Sequence, residues 1–375
     1  MREYLLCLVA AAAVTYLVTP FARELAIKWG AIAEPRDRDV HSRPTPRLGG
    51  LGLFAGVLVA ILIASQLPLM SQVFESSGTV PSEVVGLIAA MLVLVAVGVL
   101  DDRYGLDPLT KFAGQVLAGG IIAYGGISLS WLPIGGVLVL DPITSVAITV
   151  LIVVFTINAI NFVDGLDGLA AGIVAIAAAA FFAYSYLLSV QHGFDRATLA
   201  ALVSAALVGA CLGFLPHNFY RARLFMGDTG SMLLGLLLAT STITLVGQVD
   251  PNAIDSATIV PALLPLVIPI FVLAVPVLDV GLAIIRRTAA GRSVFEADKE
   301  HLHHRIMDLG HSQKRAVLLI YGWSAVIAGT TVAIAFLPAS VAIGGGLIAL
   351  AGVVAALRTP GGRAIRDDPA DREAS

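Results

Sequence analysis

The chain has 375 residues, of which 58% are hydrophobic and 13% are charged, and its mean hydropathy is +0.90. Soluble domains carry about 25% charged residues, so this composition excludes an ordinary water-soluble protein and predicts a polytopic membrane protein. The two cysteines, Cys7 and Cys211, both fall in apolar runs, which argues against a disulfide framework or a thiolate zinc site.

Eleven apolar runs predict the fold class, an all-α polytopic integral membrane protein with about 11 transmembrane helices. A helix needs about 20 apolar residues to cross a bilayer. The runs cover residues 4–19, 49–70, 84–100, 112–126, 143–160, 168–190, 197–215, 229–247, 258–285, 316–335 and 339–357. We expect residues 1–357 to form a single transmembrane domain and the polar residues 358–375 to form a disordered cytoplasmic tail.

The basic residues predict the orientation of the helices. The first apolar run is followed by Arg23 and Lys28 rather than by a cleavage site, which predicts a retained span with its N-terminus outside. With eleven spans the C-terminus is then cytoplasmic, and 21 of the 23 basic residues fall in cytoplasmic loops. The two on the outer side are Arg2 and Arg196. This bias follows the positive-inside rule and supports the count of spans.

Two segments depart from simple helical spans. Residues 127–141 predict a small β-hairpin on the outer side, because two apolar stretches flank Gly135 and Gly136. The ninth run is expected to be kinked or broken. It contains Pro261, Pro265, Pro269 and Pro276.

Carboxylates gather at the predicted cytoplasmic ends of the spans. Asp101 and Asp102 end the third span, and Asp228 opens the eighth. Asp164 and Asp167 follow the fifth. An acid beside the membrane core costs a few kcal/mol unless it is paired or binds a metal, so this group is expected to bind a ligand. Adjacent carboxylates suit either a divalent cation such as Mg²⁺ or the acceptance of a proton.

Polar side chains recur at every third position where the fifth span ends. The positions are Asn158, Asn161, Asp164 and Asp167. On an α-helix this spacing drifts by about 60° per step, so the four groups are predicted to form a slanted strip. Gly165 and Gly168 would open the end of the helix and let the backbone approach a ligand. The strip predicts a binding site.

The start of the eighth span is suited to an anion and its metal ion. Glycines flank Asp228 and Thr229, and Thr229 or Ser231 can cap the helix. On the fourth span, Lys111 and Gln115 lie four residues apart and share one face. A lysine at this position can bind phosphate as a point charge.

Further basic residues lie in the predicted cytoplasmic loops. The most basic loop contains a cluster that suits a polyphosphate, namely His301, His303, His304 and Arg305. Arg47 either contacts lipid phosphate or only follows the positive-inside bias. Hard oxygen ligands, cations and a proton acceptor on one membrane face suit metal-assisted phosphoryl transfer from a soluble nucleotide to a lipid phosphate.

Five motifs in this order resemble the polyprenyl-phosphate N-acetylhexosamine-1-phosphate transferases. They are RPTPRLGG, LDDRYGLDPLTKFAGQ, NAINFVDGLDGLAAG, FMGDTGS and DKEHLHHR, and they lie within residues 41–305. The HLHHR form resembles the WecA-like branch, which transfers GlcNAc-1-phosphate. The peptidoglycan branch typically has three consecutive histidines, and Leu302 departs from that pattern.

The resemblance implies that polyprenyl phosphate and UDP-GlcNAc give polyprenyl-diphosphate-GlcNAc and UMP, with Mg²⁺ or Mn²⁺ required. It also implies a multi-pass protein of the plasma (inner) membrane with a cytoplasmic active site, often a homodimer, with no nucleic-acid partner. The product would start a cell-envelope polysaccharide. A lysine-poor composition favours a high-GC bacterium, and an actinobacterial source would favour decaprenyl over undecaprenyl phosphate.

The resemblance also implies roles for individual residues. Asp101 or Asp102 would deprotonate or orient the lipid phosphate, and Asp228 with Asn158 or Asn161 would hold the metal. Asp164 and Asp167 would complete the nucleotide pocket. The diphosphate and sugar would be bound by Lys111, Gln115, Arg47, His301, His303, His304 and Arg305. The division of roles within each pair stays open, as does direct attack against a covalent aspartyl intermediate.

Three alternatives remain. The same chemistry could use another UDP-sugar, such as a phospho-MurNAc-pentapeptide, GalNAc or bacillosamine-type donor. A CDP-alcohol phosphotransferase also uses metal-bound aspartates, but the segment from Asp164 to Asp167 matches its motif only superficially. A transporter would place ionisable residues at mid-membrane, where Asp279 is the one candidate in the sequence, and would often contain inverted repeats.

Overall fold

The computed structural model describes residues 1–33, 44–68, 70–74, 82–132, 138–192, 198–247 and 312–358. Within these residues the chain forms ten α-helices and one short 3₁₀ turn, Ser71–Phe74. The helices are α1 (Arg2–Trp29), α2 (Gly49–Ala64), α3 (Glu83–Tyr104), α4 (Pro108–Tyr124), α5 (Pro142–Val163), α6 (Leu169–His192), α7 (Thr198–Asn218), α8 (Gly227–Gly247), α9 (Gln313–Phe336) and α10 (Ala339–Arg358).

These helices coincide with ten of the eleven predicted apolar runs. Eight of them are long and apolar enough to cross a membrane, which confirms the all-α polytopic class. The exceptions are α2 and α4, which have 16 and 17 residues. The ninth run, 258–285, and the tail beyond residue 358 lie outside the described residues. Helix α1 continues about ten residues past its apolar run, and at 1.5 Å per residue its 28 residues exceed the thickness of a bilayer core.

Local sequence signals explain where several helices begin. Asp107 and Asp141 each cap a helix whose first residue is proline, and each carboxylate accepts two backbone N–H groups of the first turn. Ser82 and Ser312 cap α3 and α9, and each hydroxyl accepts one backbone N–H of the first turn. Gly30 and Gly105, both at φ 69°, end α1 and α3 in the left-handed conformation that glycine adopts without strain.

The predicted hairpin after α4 is present. Its strands are β3 (Trp131–Leu132) and β4 (Leu138–Val139), which pair antiparallel with Trp131 opposite Val139. The indole of Trp131 is buried and donates a 3.0 Å hydrogen bond to the carbonyl of Val246 near the end of α8. A second short pair, β1 (Ile32–Ala33) with β2 (Thr45–Pro46), was not predicted, since two-residue strands leave no periodicity to detect.

Helix α8 occupies the centre of the described bundle. It packs against α2, α3, α5, α6 and α7, and its membrane-spanning part is enclosed by them. Small residues allow this contact, because a Cβ atom on Gly235 would lie 2.5 Å from the Cα atom of Ile157 in α5. The N-terminus of α8 is therefore held between the ends of several other helices, and the predicted functional residues that the structure describes lie at this end of the bundle.

Candidate active site

Three carboxylates converge where the end of α3 meets the beginning of α8. Asp101, Asp102 and Asp228 each contribute one oxygen, and these oxygens lie within 4.8 Å of one another. Asp101 and Asp102 are buried and Asp228 is partly buried. The structure thus brings together acids that are more than 120 residues apart in the sequence, at the edge where the apolar pattern placed them.

Lys111 binds two of these carboxylates. Its Nζ atom lies 3.1 Å from Oδ2 of Asp101 and 2.5 Å from Oδ2 of Asp228. The other oxygen of Asp101 accepts the backbone N–H of Leu106 at 2.8 Å. Lys111 belongs to the first turn of α4, which returns from the same edge after the short link that follows α3. One ammonium group therefore offsets part of the negative charge of the cluster.

Asp102 has different partners from Asp101. Its Oδ1 atom accepts the backbone N–H of Asp228 at 2.8 Å, and its Oδ2 atom accepts the N–H and the hydroxyl of Thr229 at 3.1 and 2.6 Å. The expectation that Thr229 or Ser231 caps the eighth span is wrong, because α8 begins at Gly227 and both residues lie inside the helix. The carboxylate that serves as the cap comes from α3.

Buried Gln115 and partly buried Asn158 form an amide pair between α4 and α5. Nδ2 of Asn158 donates to Oε1 of Gln115 at 2.7 Å and to the carbonyl of Val154 at 2.8 Å. Nε2 of Gln115 lies 3.9 Å from the sulfur of Met232. Since both amide hydrogens of Asn158 are engaged, its side chain would meet a cation or ligand through Oδ1. The structure places Gln115 against Asn158 rather than at the carboxylate cluster.

The polar strip at the end of α5 is divided between a helix and a turn. Asn158 and Asn161 belong to α5, and Asn161 lies within hydrogen-bonding reach of Asp228. The helix ends at Val163, so the prediction of a continuous helical strip of four residues is wrong for Asp164 and Asp167. Gly168, at φ 76°, redirects the chain into α6.

Asp164 carries a strongly perturbed carboxyl group. Its pKa is raised from 3.8 to about 8, chiefly by burial and then by the negative charges of Asp228 and Asp102. The positive charge of Arg47 opposes this shift, so Arg47 acts on the cluster from the segment that leads into α2. A cation bound at the cluster would lower the pKa of Asp164 for the same electrostatic reason.

Asp167 faces the loop between α7 and α8. Its Oδ2 atom accepts the backbone N–H groups of Arg221 and Ala222 at 3.1 and 3.0 Å, and its side chain is buried. Two residues that the sequence did not single out hold the neighbouring turn. Asn218 accepts the N–H of Gly168 at 3.0 Å, and the hydroxyl of Tyr321 in α9 donates to the carbonyl of Gly168. A lone tyrosine in an apolar helix offers no sequence signal for this contact.

The segment around Arg47 lies against the loop that opens α8. The N–H groups of Gly49 and Gly50 donate to the carbonyls of Phe225 and Met226 at 3.0 and 2.9 Å. The N–H of Phe225 donates to the carbonyl of Pro46 at 2.9 Å. Two distant motifs are thus joined by backbone hydrogen bonds. The cluster His301, His303, His304 and Arg305 lies outside the described residues.

The donor set fits a divalent cation. Three carboxylates and the amide oxygens of Asn158 and Asn161 are hard oxygen ligands of the kind that Mg²⁺ and Mn²⁺ prefer. A single lysine against the acids leaves the cluster with net negative charge, which favours a cation at this depth. The arrangement can hold a divalent cation at the edge of an apolar helical bundle.

Comparison with known proteins identifies the family of the chain. The profile of glycosyl transferase family 4 matches residues 84–246, which extend from α3 to α8 and contain the three carboxylates and Lys111. The chain is 47% identical to the decaprenyl-phosphate N-acetylglucosaminephosphotransferase of Mycolicibacterium smegmatis, over 95% of this chain and 88% of that relative.

Two further relatives are similar to the chain at lower identity. The chain is 32% identical to the probable undecaprenyl-phosphate N-acetylglucosaminyl 1-phosphate transferase of Bacillus subtilis, over 81% of this chain and 77% of the relative. It is 30% identical to the phospho-N-acetylmuramoyl-pentapeptide-transferase of Desulforudis audaxviator, over 85% of this chain and 95% of that relative. The fold and the site thus define a polytopic membrane transferase. The chain belongs to glycosyl transferase family 4 and is most similar to its WecA-like branch, as its motifs predicted.

Proposed function

We propose that the chain transfers GlcNAc-1-phosphate from UDP-GlcNAc to a polyprenyl phosphate, giving polyprenyl-diphosphate-GlcNAc and UMP. The observation that carries this proposal is the cluster of Asp101, Asp228 and Lys111 at the ends of membrane-spanning helices, in a chain 47% identical to a relative named for this transfer. Because the relative from Mycolicibacterium smegmatis, at 47% identity, is named for decaprenyl phosphate, we take decaprenyl phosphate as the acceptor.

The cluster would bind the diphosphate of the nucleotide sugar. Asp228, with Asn158 or Asn161, would hold Mg²⁺ or Mn²⁺, which neutralises the diphosphate and polarises the phosphoryl group. Lys111 donates from its present position to phosphate oxygens as a point charge, since it already lies between Asp101 and Asp228. Arg47 adds a second positive charge on the side of Asp164.

We favour direct attack by the lipid phosphate. One of its oxygens forms a bond to the phosphorus that carries the sugar, the bridging oxygen of the diphosphate leaves with UMP, and no covalent enzyme intermediate is needed. A phosphate monoester has its second pKa near about 6 and is largely a dianion at neutral pH, so the acceptor requires little further deprotonation. Asp101 would then accept any remaining proton and orient the attacking group.

The site is proposed to face the cytoplasm of a plasma-membrane protein. In support, Lys111, Arg47 and the acids occupy the same end of the bundle, and the basic residues of the sequence predict that this end is cytoplasmic. A nucleotide sugar is charged and water-soluble, so its binding site must open to the compartment that supplies it. The hairpin β3–β4 lies at the opposite end, against the end of α8.

A second candidate donor is UDP-MurNAc-pentapeptide. It is favoured by the similarity to the phospho-N-acetylmuramoyl-pentapeptide-transferase of Desulforudis audaxviator, which covers 95% of that relative at 30% identity. We rank UDP-MurNAc-pentapeptide below UDP-GlcNAc, because the chain is more identical to relatives whose names specify N-acetylglucosamine.

UMP release from purified protein tests the proposal. With UDP-GlcNAc, decaprenyl phosphate and Mg²⁺ we expect UMP and an equal amount of lipid-linked GlcNAc, both abolished by EDTA and restored by excess Mg²⁺. UMP from UDP-MurNAc-pentapeptide but not from UDP-GlcNAc would replace the donor and keep the mechanism. No UMP from any UDP-sugar with folded protein would contradict the reaction class.

Asp228→Asn is expected to abolish turnover while the protein stays folded, because the change removes charge with little change in volume. A loss of at least about 100-fold in kcat would correspond to about 2.7 kcal/mol of transition-state stabilisation. The matched control is Asp141→Asn at the exposed cap of α5, at the other end of that helix. Near wild-type turnover by Asp228→Asn would refute its role as a metal ligand.

A further inference from the structure

Two acids of the site, Asp102 and Asp167, accept hydrogen bonds from backbone N–H groups. We propose that Asp102 and Asp167 are positioning residues that hold the segment 221–229 at its two ends and thereby place Asp228, while Asp101 faces the reacting groups. The proposal rests on the proposed function for the role of Asp228, and it assigns different tasks to the adjacent residues Asp101 and Asp102.

Asp102 holds the C-terminal end of this segment. It accepts three hydrogen bonds from Asp228 and Thr229, which use both carboxylate oxygens. The first N–H groups of a helix have no partner inside the helix, and a carboxylate stabilises them further through the helix dipole. Gly227 permits the approach, because a Cβ atom there would collide with the Asp102 carboxylate.

Asp167 holds the N-terminal end. One oxygen accepts the N–H groups of both Arg221 and Ala222. Arg221 has φ 66°, a left-handed conformation that is costly for a residue other than glycine and persists where its surroundings enforce it. The turn that carries Asp167 is itself tied to Asn218 and to Tyr321 through Gly168. Through these hydrogen bonds, α3, α7, α9 and the turn before α6 hold the segment 221–229 in place.

Asp101 provides the contrast within the same helix turn. Adjacent residues on an α-helix are rotated by about 100°, so Asp101 and Asp102 cannot share an orientation. Asp101 binds Lys111 and lies beside Asp228, whereas Asp102 binds the backbone of α8. Asp102 thus acts on the cluster through the position of Asp228.

A double-mutant cycle tests the role of Asp102. The variants are Asp102→Asn, Thr229→Val and the two combined, with Thr229→Ser as the conservative replacement that keeps the hydroxyl. The readouts are Mn²⁺ affinity of the substrate-free protein by electron paramagnetic resonance, and the Mg²⁺ concentration for half-maximal UMP release. The pH profile of kcat is recorded as well.

We expect each single change to weaken Mn²⁺ binding by about 10-fold, as is typical for partners that orient a metal ligand. The double variant should be weakened by less than the product of the two single effects, because the hydroxyl contact that Thr229→Val removes is one of the three that Asp102 makes. Thr229→Ser should restore affinity, and the limbs of the pH profile should not move. Thr242→Val is the matched control, since within the described part of the chain the Thr242 hydroxyl bonds to the carbonyl of Leu238 in its own helix.

Other outcomes would overturn the proposal. If Thr229→Val leaves the Mn²⁺ affinity unchanged while Asp102→Asn lowers it strongly, Asp102 acts as a metal ligand or a proton acceptor instead. Multiplicative effects, or a displaced limb of the pH profile, would do the same. If Asp102→Asn does not fold, the Thr229 pair still decides the question. Failure of the proposed function would appear as absent UMP release from wild type, which leaves the Mn²⁺ measurement interpretable.

Asp167 is tested by two replacements that differ in one respect. Asn keeps an oxygen able to accept both N–H groups of Arg221 and Ala222, whereas Ala removes it. We expect Asp167→Ala to weaken Mn²⁺ binding by about 10-fold and Asp167→Asn to retain most of the affinity and turnover. Equal loss in both variants would indicate that the charge of Asp167, rather than its hold on the loop, is required.

Discussion

Asp164 lies where burial and like charge act on the same carboxyl group. Its pKa of about 8 means that the folded, metal-free protein keeps a proton that the unfolded chain releases near pH 4. Stability from this group is therefore complete below about pH 4 and is lost progressively as the pH rises to about 8. Its neighbours Asp102 and Asp228 contribute to this shift, so Asp164 reports on the charge of the whole cluster.

The variant Asp164→Asn should remove this pH dependence. In EDTA, we expect its unfolding temperature, relative to wild type, to rise between pH 5 and pH 8 and then level off, because only wild type must bury a charge. Thermal unfolding in detergent measures the difference.

Asp141→Asn serves as the control for this measurement. The pKa of Asp141 is lowered by its hydrogen bonds to Thr144, so its carboxyl is fully charged throughout this pH range. The difference between this variant and wild type should therefore stay constant between pH 5 and pH 9. A constant difference for Asp164→Asn as well would show that its pKa is close to that of the unfolded chain.

At the scale of the elements, α8 positions the site because neighbouring helices approach it closely. Gly98 in α3 lies against the backbone of Thr229, and Gly50 at the start of α2 lies against Thr229 and Gly230. A side chain at either glycine would collide with backbone, which cannot move aside as a flexible side chain can. In a membrane such small residues supply the close packing that a hydrophobic driving force supplies in water.

Two identical substitutions separate packing from helix propensity. Gly235→Ala would bring a Cβ atom within 2.5 Å of the Cα atom of Ile157, and overpacking of this kind costs about 1–3 kcal/mol. Gly120→Ala in α4 has no atom of the described residues within 4 Å of the added Cβ and should be neutral or slightly stabilising. Thermal unfolding in detergent should show a lower midpoint for Gly235→Ala alone. Equal midpoints would show that α5 and α8 can move apart without cost.

At the scale of the whole molecule, the alternation of the helices puts every described site residue at one end of the bundle. Helices α3 and α5 end there, and α4 and α8 begin there. The membrane then separates this end from the hairpin β3–β4, which packs on the far end of α8. The basic residues of the sequence predict that the site end faces the cytoplasm.

A matched pair of cysteine variants tests this orientation. Tyr104 and Tyr124 are exposed, at 71% and 80%, and lie at opposite ends of the α3–α4 pair. A membrane-impermeant maleimide should label Tyr124→Cys in intact cells and Tyr104→Cys only after permeabilisation. Both native cysteines are buried, so background labelling should be low. The reverse pattern would place the site outside the cell.

The sequence alone determined the helices and the edge at which the acids gather. Apolar runs locate spans reliably because each backbone polar group in a bilayer must be satisfied within its own helix, which makes the signal local. The spacing of Asp101, Lys111 and Asp228 relative to the ends of the runs placed them together, and the structure confirms it. The hairpin followed in the same way from a short local pattern.

Only the tertiary structure decided what each acid binds. The rotation of α3 about its axis directs Asp101 to Lys111 and Asp102 to the first N–H groups of α8, and no local pattern encodes that rotation. Asp164 and Asp167 likewise have different surroundings. Because α5 ends at Val163, both lie in the turn that follows it, where Asp164 is close to the carboxylate cluster and Asp167 binds the loop before α8. These assignments depend on contacts between residues far apart in the chain, where the close packing of whole helices selects one orientation among several that the sequence pattern permits.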